Sequence, residues 1–265
     1  MQRHHFVDFP TPANIFKKFL LTHQHSRRGT LRTTGYKKQR AAFQDLIYDH
    51  VRRVGAQASD QGTILPVGID IGGGVKTVGT PRLMSQGTLS PTGNDLDIAI
   101  RGEGFFKIQM PDGSYAYTRD GSFTTDQQGR IVNAQGNPVQ PTITIPQNSS
   151  DIVINAQGQV SVKLPGQTTP STIGQIGLTR FVNKTGLQPI GDNLFTETPA
   201  SGPPQDGTAN VDGFGDMQQS SLEQANVEVV SEISDLIAAQ RAYEMNAKVI
   251  SAADQMLQST ANLFR

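Results

Sequence analysis

The 265-residue chain contains no cysteine and no tryptophan. Without cysteine it has no disulfide framework, and it has no thiolate ligands for a zinc site or an iron–sulfur cluster. A cysteine nucleophile is excluded for the same reason. The missing cysteine therefore removes several classes of enzyme and metalloprotein, and it indicates a fold that does not depend on oxidation.

The chain also lacks a surplus of either charge, since it has 23 basic and 23 acidic residues. Binding to a phosphate backbone draws on an excess of Lys and Arg, so we expect no nucleic-acid partner. The charge is unevenly placed, because residues 1–53 hold eleven basic residues against three acidic ones. This polarity fits either a solvated basic arm or an attraction between the basic arm and the acidic remainder.

Long apolar runs are missing as well. Near the N-terminus every short apolar cluster is interrupted by Lys, His, Asp or Pro. A secretory signal needs about 7–15 consecutive apolar residues, and a membrane-spanning helix needs about 20. By these signals alone the sequence predicts a soluble cytoplasmic protein, unless a route without a cleaved signal exports it.

Motifs that carry chemistry are scarce. Residues 102–104, Gly-Glu-Gly, open like a dinucleotide-binding fingerprint, but Lys107 stands where the last glycine of that fingerprint would be. The four histidines near the N-terminus have no convergent carboxylate that would complete a metal site. We therefore predict no catalytic, cofactor-binding or metal-binding residue, no cofactor and no enzymatic activity.

The N-terminal part divides at residue 33. Residues 1–32 show no sustained periodicity and are predicted to be irregular. From 33 to 55 the pattern becomes helical, because Phe43, Ile47 and Val51 recur at four-residue intervals among polar residues. We expect an N-terminal core helix here, with these three side chains forming its contact surface.

The middle of the chain has the pattern of β-structure. Residues 56–94 are rich in Gly, Ser, Thr and Pro, with single aliphatic residues between them, which suits an extended, packed arm. Residues 95–197 alternate apolar and polar residues in short runs separated by turn dipeptides. This pattern predicts an all-β domain, either a small barrel or a sandwich. Residues 198–221 follow as a return loop rich in Pro and Gly.

The last segment, residues 222–265, is predicted to be one long helix with an apolar seam. The seam has large residues at seven-residue intervals and one further residue in the next row: Val229, Leu236, Tyr243, Ile250, Leu257 and Phe264, with Ile233. Heptad spacing is typical of a coiled coil, and a helix of this length cannot cover its own stripe. We therefore expect an assembly surface, with packing on the β-domain of the same chain as the alternative. The predicted fold class is α+β, with long terminal coiled-coil helices and a central all-β domain.

Four long stretches resemble the flagellar basal-body rod and hook axial proteins. They are TTGYKKQRAAFQDLIYDHVRRVGAQ at 33–57, LPVGIDIGGGVKTVGTPRLMSQGTLSPTGNDLDIAIRGEGFFKI at 65–108, YTRDGSFTTDQQGRIV at 117–132, and SLEQANVEVVSEISDLIAAQRAYEMNAKVISAADQMLQ at 221–258. Within this family, the segment 55–90 favours the distal rod. Residues 1–31 lack the helix and the Asn-rich stretch expected before the Thr-Gly-Tyr-Lys motif, and we hypothesise that they derive from a different reading frame.

The resemblance implies a structural subunit of the distal rod, which polymerises into a helical tube and transmits motor torque to the hook. It implies as partners further copies of this chain, proximal rod and hook axial proteins, ring proteins of the peptidoglycan and outer membrane, and the flagellar type III export apparatus. The implied location is the basal body, in a rod that spans the periplasm, reached without a cleaved signal peptide. A proximal rod or hook subunit, and a secreted cell-wall glycan-binding β-domain protein, remain as alternatives.

Overall fold

The computed structural model describes residues 33–55, 66–149, 151–166 and 169–263. Residues 1–32 and Phe264 of the seam lie outside these ranges. Within them the chain forms twenty β-strands, one short 3-10 helix, Lys184–Gly186, and one α-helix, α1, Val229–Leu263. In chain order the strands are β1 Ala42–Asp45, β2 Tyr48–Arg52, β3 Ile69–Gly72, β4 Val75–Gly79, β5 Leu89–Pro91, β6 Ile98–Arg101, β7 Phe106–Gln109, β8 Tyr115–Thr118, β9 Thr124–Thr125, β10 Ile131–Val132, β11 Val139–Gln140, β12 Asp151–Ile154, β13 Gln159–Lys163, β14 Ser171–Gln175, β15 Gly177–Arg180, β16 Gln188–Gly191, β17 Leu194–Thr196, β18 Gln205–Thr208, β19 Asp216–Gln219 and β20 Ser221–Glu223.

Strands β5 to β20 form a β-domain in which every pairing is antiparallel. The largest sheet has five strands in the order β11-β7-β8-β17-β16, and a second sheet has the order β12-β13-β14. The other strands pair two by two, β9 with β10, β15 with β18, β6 with β19 and β5 with β20. Strands distant in sequence are thereby joined, and β5 and β20 bring residues near 90 and 222 together.

The β-domain is held together by buried aliphatic side chains from several sheets. Ile100 of β6, Ile108 of β7 and Val160 of β13 are fully buried and belong to one cluster. A smaller aromatic cluster lies beside it, in which the rings of Tyr117 and Phe181 meet edge to face at a centroid distance of 4.8 Å. Along β7 and β13 buried residues alternate with less buried ones, as side chains on opposite faces of a strand require.

The predicted N-terminal core helix is wrong, because residues 42–52 form strands β1 and β2. They pair antiparallel with β4 and β3, and together these four strands make a two-stranded ribbon. Pairing continues between the two halves, since Leu46 N donates to Gly74 O over 2.8 Å and Gly73 N donates to Ile47 O over 3.1 Å. A spacing of four residues is also a multiple of the two-residue period of a strand, and the segment is rich in the β-branched and aromatic residues that favour strands.

The predicted coiled coil and the barrel are also corrected. Helix α1 begins at Val229 rather than at 222, because Ser221–Glu223 pair with Leu89–Pro91 as β20. Within the described ranges it is the single α-helix, so no helix of this chain pairs with it there. Each sheet of the described residues has two end strands, whereas a barrel closes on itself. The fold is therefore mostly β-structure followed by one long helix, without a closed barrel.

Candidate assembly surfaces and their common junction

Three segments of the chain meet beside Arg119 at a buried point that we call the junction: residues 34–38, 82–88 and 221–226. The first segment leads into the ribbon, the second leaves it, and the third leads towards helix α1. Backbone hydrogen bonds join them, since Gly35 N donates to Glu223 O over 2.8 Å and Gln224 N donates to Thr88 O over 2.9 Å. The ribbon and the helix therefore start from the same place on the β-domain.

The Thr-Gly pair at 34–35 docks the N-terminal segment on the β-domain. Thr34 Oγ1 donates a hydrogen bond to Asp120 Oδ1 over 2.7 Å, and Asn193 Nδ2 donates to Thr34 O over 3.0 Å. Gly35 has a φ of +66°, and a Cβ atom added to it would lie 2.6 Å from Asp120 N. Only glycine combines this left-handed backbone with so close an approach.

Opposite charges from two of the three segments and from Arg119 meet inside the junction. The Nζ atom of Lys37 lies 2.5 Å from Glu223 Oε1 and donates to Ser85 O over 2.9 Å. Gly87 N donates to the same Glu223 oxygen over 2.8 Å. The second oxygen, Oε2, lies 3.8 Å from Nη1 of Arg119. These three charged side chains are almost completely buried, so each depends on its partners for its charge.

Burial dominates the electrostatics of this charge cluster. Loss of solvation lowers the pKa of the Lys37 ammonium, and the nearby Glu223 carboxylate opposes that change. Loss of solvation lowers the pKa of Arg119 as well, with Glu223 again acting in the opposite direction. The Glu223 carboxylate thus stabilises two buried cations, one from the N-terminal segment and one from the β-domain, with a smaller contribution from Glu103 to both.

A second set of contacts ties the start of the helix to the base of the ribbon. Asn226 Oδ1 accepts from Lys38 N over 2.7 Å, and Asn226 Nδ2 donates to Leu83 O over 2.7 Å. The Lys38 ammonium forms an ion pair with Glu232, which lies in the first turn of α1. An anion in the first turn is also favoured by the helix dipole.

The ribbon carries the first of two exposed apolar surfaces. Phe43 and Ile47 lie on one of its faces, and the register of the strands places Val75 and Ile71 on the same face, together with the carboxylates of Asp45 and Asp49. The four apolar side chains are exposed, from 51% at Phe43 to 90% at Ile47. Val51, the third residue predicted for this surface, lies beside a register shift and is also exposed.

Helix α1 carries the second surface. Six of the seven predicted seam residues lie on the described helix: Val229, Ile233, Leu236, Tyr243, Ile250 and Leu257. Leu236 is half-buried, and the others range from 45% exposed at Val229 to 69% at Leu257. In the described part of the chain, the ribbon face and the helix seam are not packed against each other. Whether they form an assembly interface therefore remains a prediction.

A groove of about 630 Å³ opens elsewhere on the β-domain. In it Lys107 Nζ lies 2.7 Å from Asp206 Oδ2 and 4.5 Å from the centroid of the Tyr115 ring. The charged and aromatic groups of the groove thus satisfy one another. The described residues contain no cluster of three side chains suited to a metal ion, and no helix among them is both long and apolar enough to cross a membrane.

The charge cluster of the junction was not predicted from the sequence. Lys37 lies in a motif that carries the family resemblance but had no predicted role, and Glu223 lies in the segment that was predicted to be helical. No local pattern connects residues 37, 119 and 223, because their proximity depends on the antiparallel pairing of β5 with β20.

Comparisons with known proteins agree with one another. Residues 99–162 match the family model of the flagellar hook protein FlgE/F/G D1 domain, and residues 218–263 match that of the flagellar basal body rod FlgEFG protein C-terminal region. The flagellar basal-body rod protein FlgG of Caulobacter vibrioides is 53% identical over 88% of this chain and 89% of its own length. FlgG of Buchnera aphidicola subsp. Schizaphis graminum is 48% identical over 87% and 88%.

The rod protein FlgF of the same Caulobacter species gives a weaker match. It is 37% identical over 72% of this chain and 71% of its own length. In Caulobacter vibrioides, FlgG therefore matches this chain with higher identity and over more of its length than FlgF does. This difference distinguishes the two related rod subunits. The chain therefore belongs to the FlgG family of flagellar basal-body rod proteins and is a structural subunit of the distal rod.

Proposed function

We propose that the chain polymerises through its ribbon and helix α1 into the helical tube of the distal rod, which transmits motor torque to the hook. The observation that supports this proposal is the exposure of large apolar side chains on both elements. Single exposed apolar residues are ordinary, but rows of them are typical of interaction sites. The ribbon and helix α1 both start from the junction, so neighbouring subunits can cover the two apolar surfaces together.

The energetics favour burial of the seam by other subunits. Helix α1 has 35 residues and would be roughly 50 Å long, and in proteins most helical stability comes from packing of the apolar face. Each seam side chain contributes about 1.5–3 kcal/mol when it is fully buried. Since no strand of the described β-domain packs along the helix, we assign that packing to neighbouring copies.

The remaining features of the proposal follow from the family. We propose contacts with proximal rod and hook axial proteins at the ends of the polymer, and with the peptidoglycan and outer-membrane rings around it. Delivery would use the flagellar type III export apparatus without a cleaved signal peptide, and the assembled rod would span the periplasm. The chain would act there as a structural element.

The proposal is tested by placing a charge in the seam. We expect Ile250→Asp to leave the β-domain folded, because Ile250 is exposed in the single chain, and to abolish rod assembly because the carboxylate would be buried between subunits. The measurement is swimming motility and recovery of basal bodies in a strain that lacks its own distal rod protein.

Gln255→Asp is the matched control. It adds the same charge about 1.4 turns away, towards the opposite side of the helix, and is expected to assemble. Circular dichroism of both purified variants checks their folding. Normal motility of the Ile250→Asp strain would overturn the proposal.

A further inference from the structure

The buried Glu223 contacts both segments that flank the ribbon as well as the β-domain. Its backbone carbonyl accepts from Gly35 N, and its carboxylate meets Lys37 from the N-terminal segment and Gly87 N from the returning segment. Arg119 provides the contact with the β-domain. No other charged side chain in the described junction joins all of these parts.

We propose that Glu223 is a positioning residue that makes the docking of the N-terminal segment, 34–38, and of the segment that enters helix α1, 221–226, interdependent. The ribbon and helix α1, which carry the two apolar surfaces, would thereby extend from one fixed point on the β-domain. The proposal deepens the proposed function, because subunits that pack through both surfaces need them in a constant relation. The interdependent docking of the two segments is nevertheless a property of the single chain, before any assembly.

The interdependence follows from the cost of a buried charge that loses its partner. If residues 34–38 undock, Glu223 loses the ammonium at 2.5 Å and keeps the Gly87 N–H at 2.8 Å and, as its only cation, the guanidinium at 3.8 Å. If residues 221–226 undock, both Lys37 and Arg119 are left without their carboxylate. A buried ion whose partner is removed is strongly unfavourable, so the loss of either segment promotes the loss of the other.

Stability alone does not explain this arrangement. A buried ion pair is often no more stabilising than apolar residues of similar volume, because two charges must be desolvated. A charged network differs from an apolar contact in requiring specific partners in a specific geometry. Asn226, three residues after Glu223, then fixes the backbone of Lys38 and Leu83, which extends the constraint to the start of the helix.

The test is hydrogen exchange of the full-length monomeric chain, followed by mass spectrometry of peptides covering 33–40 and 221–228. Glu223→Gln keeps an oxygen that can accept from Gly87 N but removes the charge, and we expect it to speed exchange in 33–40 by about tenfold or more. Lys37→Met is expected to speed exchange in 221–228 by a similar factor, whereas Lys37→Arg, which keeps the charge, should retain most of the protection. Strands β6 and β7 should stay unchanged.

The double variant measures the coupling directly. Combining Lys37→Met with Glu223→Gln should accelerate exchange less than the product of the two single effects, as expected for residues that act through each other. Arg130→Met, which breaks the surface pair with Asp126, is the matched control and should alter neither segment. No assembly is measured, so the result stands even if the chain does not build a rod.

Three outcomes would overturn the proposal. The first is an effect of each substitution confined to its own segment, and the second is a double variant whose effect equals the product of the single effects. The third is loss of protection throughout β6 and β7 in every variant, which would show that Glu223 supports the whole β-domain rather than positioning the two segments.

Discussion

At Gly35 the N-terminal segment passes so close to the β-domain that a side chain does not fit. The positions that its missing Cβ would contact belong to backbone atoms of Arg119 and Asp120, which cannot rotate away as a flexible side chain can. Gly35 N also donates to Glu223 O, so a displacement here would reach the charge cluster. At the residue scale, docking thus depends on a glycine and a carboxylate together.

We expect Gly35→Ala to destabilise the folded chain by about 2–4 kcal/mol, because it adds the strain of a left-handed alanine to a backbone overlap. Gly136→Ala is the matched control, since Gly136 has a φ of +84° with no atom within 4 Å of the added Cβ. It should cost only about 1–2 kcal/mol. Urea denaturation measures both values, and equal losses would contradict the assigned role of Gly35.

The ribbon is the element whose form the sequence pattern did not reveal. Phe43, Ile47 and Val51 were predicted to share the face of a helix, and the first two share the face of a ribbon instead. A spacing of four residues fits both the helical period and the two-residue period of a strand. The strands form because of their pairing with residues 69–79, which the spacing of apolar residues within 42–52 does not show. An isolated two-stranded ribbon is only marginally stable in water, and this one keeps its apolar face exposed.

A charge on that face tests its role. We expect Ile47→Asp to leave the monomer folded, because Ile47 is 90% exposed. We expect it to prevent incorporation into rods, because it replaces the most exposed apolar side chain of this face with a third carboxylate beside Asp45 and Asp49, which would be buried against a neighbouring subunit. Recovery of the variant in purified basal bodies is the measurement.

The control for this variant lies on the other face of the ribbon. Gln44 is opposite Lys76, so Gln44→Asp adds the same charge where a cation can balance it. It should be incorporated. Equal incorporation of both variants would show that the apolar face of the ribbon is not an assembly surface.

For the whole molecule, the sequence predicted secondary structure correctly where a pattern of apolar residues continued over a long segment. The seven-residue spacing indicated a helix in the last segment, and α1 covers Val229–Leu263 of it. The predicted start at 222 failed because Ser221–Glu223 pair with a strand more than a hundred residues earlier. The charge cluster of the junction depends on the same long-range pairing. Distant pairing is a property of the folded chain, and apolar periodicity carries no information about it.

The absence of cysteine allows a direct test of whether the two apolar surfaces are buried in the polymer. Single Ile47→Cys and Ile250→Cys variants give a chain with one reactive thiol each, placed at positions that are exposed in the single chain. The measurement is the rate of maleimide labelling of each thiol in the purified monomer and in isolated basal bodies, with denatured basal bodies as the control for reactivity. We expect rapid labelling in the monomer and protection at both positions in the assembled rod. Equal labelling of monomer and rod at both positions would contradict assembly through the ribbon and helix α1.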